Sequence, residues 1–83
     1  MITLKFHYDA SHGWLEVPLS LMYQYDLLSK ISTCSYRDKR SAYLEEDCDA
    51  AVFLEYIEKQ GIQHQCIEIN DGDHSPIRNK ARF

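Results

Sequence analysis

The chain has 83 residues, 45% of them hydrophobic and 27% charged, with a formal net charge of −4. That balance describes one small folded domain over residues 1–83 and excludes an intrinsically disordered chain. The net acidity argues against unaided nucleic-acid binding, whose affinity comes mainly from Lys and Arg displacing phosphate counterions, and favours a basic partner surface.

In chain order, Ile2, Leu4, Phe6 and Tyr8 alternate with Thr3, Lys5, His7 and Asp9, the period-2 pattern of a half-buried strand. Asp9 to Gly13 supply turn chemistry before Trp14 to Val17, which predicts a hairpin with a five-residue loop. Pro18 ends the second strand and suits the start of a helix over Leu19–Leu28. That helix has more apolar surface than one core-facing stripe needs, so Tyr23 and Tyr25 are candidate partner-binding residues. The same surplus supports a homodimer as an alternative use of the helix.

Ile31–Tyr36 and Ser41–Glu46 read as a second hairpin around the charged turn Arg37-Asp38-Lys39-Arg40. Between Asp49 and Gln60 the apolar positions Ala50, Phe53, Leu54 and Ile57 have helical spacing, and Gly61 is a C-terminal stop. Ile62–Asn70 predicts a last strand, followed by the exit Asp71-Gly72-Asp73. The order ββαββαβ predicts an α+β domain, with an antiparallel or mixed sheet and two helices packed on one face. In the tail, residues 74–83, Ile77 and Phe83 favour folding back, with Arg78, Lys80 or Arg82 meeting Glu46, Glu55 or Glu58 on the acidic helix.

Glu45, Glu46, Asp47 and Asp49 sit where the strand pattern runs into the second helix. Asp47 or Asp49 can cap first-turn amides and complement the positive helix end. Glu45 and Glu46 point to opposite faces of a strand, so at least one remains as solvent charge or ligand, and the four acids form a candidate partner-binding patch. Cys48 lies among acids that disfavour a thiolate, which reads as packing rather than catalysis. His7, Asp9 and His12 surround one hairpin with residue types that bind zinc, and a junction carboxylate would complete a metal site if the two regions converged. No nucleophile elbow or glycine-rich phosphate loop is present, so no catalytic residue and no cofactor is assigned. Three cysteines, Cys34, Cys48 and Cys66, cannot all pair within the chain and lack zinc-ribbon spacing. Neither a signal-peptide pattern nor a bilayer-spanning run appears, so the expectation is a reduced, cytoplasmic protein that does not enter a membrane.

The segments His7-x-Asp9-x-x-His12-Gly13-Trp14-Leu15-Glu16-Val17-Pro18, Ile31-Ser32-x-x-Ser35-Tyr36, Tyr43-Leu44-Glu45-Glu46-Asp47-Cys48-Asp49-Ala50, Asp71-Gly72-Asp73-x-Ser75-Pro76-Ile77-Arg78 and Arg82-Phe83 together resemble a family of small uncharacterised proteins carried by bacteriophages, prophages and plasmids. The resemblance covers most of the chain. It implies a mobile-element origin and a bacterial cytoplasm, where small acidic proteins often act by occupying a host protein's binding surface. One departure is Asp26, where the family has a glycine suited to ending the first helix; Asp tolerates the left-handed backbone better than most residues. The leading expectation is a non-enzymatic protein-interaction module, an inhibitor of a host defence or nucleic-acid-handling protein with a basic surface. The alternative is a metal-binding module or metal-dependent hydrolase using His7, Asp9, His12 and a junction carboxylate.

Overall fold

The computed structural model describes all residues from Met1 to Phe83. It is an α+β fold built on a six-stranded mixed sheet in the order β5-β1-β2-β4-β3-β6. The strands are β1 (Ile2–Tyr8), β2 (Gly13–Pro18), β3 (Tyr36–Arg37), β4 (Ser41–Glu45), β5 (His64–Asn70) and β6 (Ala81–Arg82), with helices α1 (Leu19–Gln24) and α2 (Ala50–Lys59). β5 runs parallel to β1, with Leu4 opposite Cys66 and Phe6 opposite Glu68, and every other pairing is antiparallel.

Strand alternation sorts the residues onto two unlike faces. Leu4, Leu15, Val17, Ala42 and Leu44 meet Leu19, Met22, Ala50, Phe53 and Ile57 from the helices in the main core. Fully burying a side chain such as Phe53 is worth about 1.5–3 kcal/mol, and a domain this small depends on a few such residues. The opposite face carries a second cluster of Trp14, Tyr36 and Tyr43, covered by Ile77 from the tail. The tail does fold back, but across this face rather than onto α2. Its cations meet other partners than Glu46, Glu55 or Glu58: Arg78 Nε lies 2.7 Å from Asp9 Oδ2, Lys80 Nζ 3.1 Å from Asp38 Oδ2, and Arg82 donates to Thr33 O and the Tyr36 hydroxyl.

Three predicted boundaries move. The first hairpin closes between Tyr8 and Gly13, which pair, so Gly13 belongs to β2. There the missing side chain matters for space, since a Cβ at Gly13 would collide with the Phe6 ring. Helix α1 stops at Gln24 because Asp26 adopts φ 55. The Asp26 amide donates to Tyr23 O and the Leu27 amide to Met22 O, the paired bonds of a Schellman cap. Most of the third predicted strand, from Ile31 to Ser35, is irregular because Ser32 and Ser35 bond to Asp49 rather than to a neighbouring strand.

Candidate functional site

At the junction of β4 and α2 neither Asp47 nor Asp49 takes the expected part of helix cap. Glu45, only 8% exposed, closes the turn that precedes the helix, its Oε2 accepting from the amides of Asp47 (2.6 Å) and Cys48 (3.1 Å). Asp49 occupies the N-cap position with φ −98 and ψ −20, not the extended backbone that aims a capping side chain at its own helix, and it makes no such bond. Its carboxylate, on a residue 4% exposed, instead accepts from the Ser32 amide, the Ser32 hydroxyl (2.8 Å) and the Ser35 hydroxyl. Ser35 Oγ in turn accepts from the Glu45 amide (3.0 Å), so one polar relay ties the irregular segment to both β4 and α2. Two of the four predicted partner-binding acids, Glu45 and Asp49, are therefore spent inside the fold, and Glu46 and Asp47 face outward.

The hairpin residues separate in the same way. Asp9 accepts from the amides of Ser11, His12 and Ser75 and from the Arg78 guanidinium, and its side chain is fully buried. Arg78, followed by the Ser75 amide, holds the Asp9 carboxyl far below the ordinary carboxylate range against the opposing effect of burial. This group is a structural tie, not a free ligand. His7 Nε2 lies 2.7 Å from Glu16 Oε1, and its Nδ1 3.6 Å from Asp71 Oδ2. Only His12 reaches the acidic junction, with Nδ1 3.7 Å from Glu45 Oε1. One donor atom each from His12, Glu45 and Asp47 lies within 4.8 Å of the others, so the metal-ligating set that converges is these three, without His7 or Asp9. His12 and Glu45 also line a small cleft of about 220 Å³, with Trp14, Cys34, Tyr36, Arg78 and Arg82 as its other walls.

A second feature lies on the helix side of the sheet. Helix α2 does not cover the outer strand, and a groove of about 340 Å³ opens over Phe6, Leu15, Ala50, Ala51, Leu54 and Cys66, with Glu46 and Glu68 in its lining. β5 is a sheet edge whose residues are exposed except for half-buried Ile69, and Ile67 on its other face is 52% exposed. Partial burial and Glu68 push the Cys66 thiol above its ordinary value. Of the two predicted tyrosine anchors, Tyr23 is 67% exposed, whereas Tyr25 packs on Tyr56 with ring centroids 4.9 Å apart. No single segment predicts the groove, but α2 carries a sign of it: Ala51 and Leu54 widen the apolar face beyond the Ala50, Phe53 and Ile57 stripe that the core consumes.

Comparison of the chain with protein-family models, curated proteins and solved structures finds no match.

Proposed function

We propose that this chain is a small, acidic, non-enzymatic protein-interaction module that receives a basic and apolar segment of another protein in the groove between α2 and β5. The observation that carries this reading is an open apolar floor with carboxylates, Glu46 and Glu68, in the same lining and an unpaired strand edge beside it. Apolar burial would supply the affinity, and the two acids would select a cationic segment and speed its encounter. The resemblance to mobile-element proteins supports a partner in the bacterial cytoplasm, a host defence or nucleic-acid-handling protein whose basic surface the module would occupy. The test uses a synthetic Lys/Leu amphipathic peptide and lysate from a bacterial host, each with wild-type protein and a Glu46→Lys/Glu68→Lys variant. Charge reversal should weaken peptide binding at least about tenfold and remove any captured host protein. Unchanged binding by the double variant would sink the proposal, and concentration-dependent mass in sedimentation would point to a second copy as the occupant.

The convergence of His12, Glu45 and Asp47 favours a second reading, a metal-binding module. Glu45 Oε2 is committed to backbone amides, while Oε1 faces His12, so one carboxylate oxygen, one imidazole and Asp47 could hold a divalent ion. Titration with Co²⁺ should give a saturable visible spectrum that His12→Ala abolishes and His7→Ala leaves intact. No spectral change at millimolar Co²⁺ would remove this reading.

A further inference from the structure

We infer that Cys34 and Cys48 form a dithiol that closes to an intramolecular disulfide when it meets a low-molecular-weight disulfide. Their Sγ atoms lie 3.3 Å apart, both residues are exposed, and neither thiol is bonded to a third group. The two thiols come from different segments, so the contact is a product of the fold and not of neighbouring sequence.

Backbone and polar bonds hold the sulfurs together from both sides. The Cys34 amide donates to Ser32 Oγ, and the Ser35 amide to Ser32 O, which fixes the turn that carries the first thiol. The Cys48 amide donates to both the backbone and the side chain of Glu45, which fixes the second. Asp49, next to Cys48, binds Ser32 and Ser35 on either side of Cys34. Closing the pair to the bond length of about 2.05 Å brings together sulfurs already 3.3 Å apart, with the loop entropy already spent by the fold. Cys66 lines the groove over β5 and takes no part in this pair.

The exchange balances without any further reactant. The Cys34 thiolate attacks a sulfur of R–S–S–R, forming a mixed disulfide and releasing one R–S⁻. The Cys48 thiol, which its contact with Cys34, burial, Glu45 and Asp49 push up to about 11, gives its proton to solvent and attacks the Cys34 sulfur of that mixed bond, forming the Cys34–Cys48 bond and releasing the second R–S⁻. Two protein thiols are oxidised, the small disulfide is reduced to two thiols, and the two protein protons pass through solvent to them. The new bond would link the irregular segment to the start of α2 covalently, across the same gap that Asp49 spans with hydrogen bonds.

The experiment exposes reduced, natively folded Cys66→Ser protein to oxidised glutathione and follows it by intact mass. The expected product is monomeric, has lost two hydrogens, carries no glutathione, maps to a Cys34–Cys48 linkage, and melts about 5 °C or more above the reduced form. Adding Cys34→Ser or Cys48→Ser should arrest the reaction at a stable adduct with one glutathione. A protein with both thiols that accumulates glutathione adducts, or closes the bond only after unfolding, overturns the inference.

Discussion

Asp26 and Gly61 do the same work at the ends of the two helices. Each takes positive φ, 55 and 70, and each is followed by a residue whose amide reaches back to close a Schellman cap: Leu27 to Met22 O, and Ile62 to Ile57 O. Gly61 adopts that backbone freely, but Asp26 carries a Cβ that crowds its carbonyl in the left-handed region. Asp26 is exposed, so replacing it removes the crowding without opening a cavity. Asp26→Gly should therefore raise unfolding stability by up to about 1 kcal/mol, read as a higher urea midpoint at unchanged slope. A lower midpoint would show that the Asp26 side chain contributes something the cap geometry does not reveal.

The elements most legible in the sequence were those whose pattern is local. β1 and β2 alternate cleanly, and α2 has apolar residues at helical spacing and a glycine stop, whereas the helix predicted over Leu19–Leu28 ends early, at Gln24. Ile31–Ser35 could not be placed the same way, because its serines owe their conformation to Asp49, which is distant in sequence. The roles of Glu45 and Asp49 are hidden for a related reason. Helix-start statistics favour Asp as the cap, but here the backbone at Asp49 turns its side chain toward Ser32 and Ser35, and Glu45 folds back on the amides of the turn before α2. Convergence of His12 with the junction depends on sheet register, which sets Trp14 opposite Glu45; alternation alone does not specify it. The groove over α2 follows from where the helix stops covering the sheet, a property of no single segment.

At the scale of the whole molecule, the tail holds the second face of the sheet through buried or half-buried ion pairs, and this makes acid the natural denaturant. Burial raises the Asp38 carboxyl, but the Arg40 amide, the Tyr43 hydroxyl, the Ser41 amide and Lys80 together bring it well below its ordinary value, as Arg78 does for Asp9. With both folded-state values depressed, the unfolded chain binds protons first as pH falls. The stability these groups contribute is complete above about pH 5 and is lost progressively in more acid solution. Urea midpoints measured from pH 7 to pH 2 should fall steeply below about pH 5, and Asp9→Asn should flatten part of that fall. A midpoint that stays level through pH 3 would mean that these carboxylates are equally acidic in the unfolded chain.

The parallel pairing of β1 with β5 also bears on how the domain assembles. Ile2 sits opposite His64 and Tyr8 opposite Asn70, so one side of β1 has no hydrogen-bonding partner until nearly the whole chain is available. The loop after β1 likewise waits for Ser75 and Arg78 to satisfy Asp9. The β1–β2 hairpin and α2 can form from nearby residues, whereas closing this edge must bring together segments 62 residues apart in sequence. Loop closure of that span comes before the contacts that reward it, so the domain should fold more slowly than helical bundles of its size, and an emerging chain should hold its first strand open until β5 arrives.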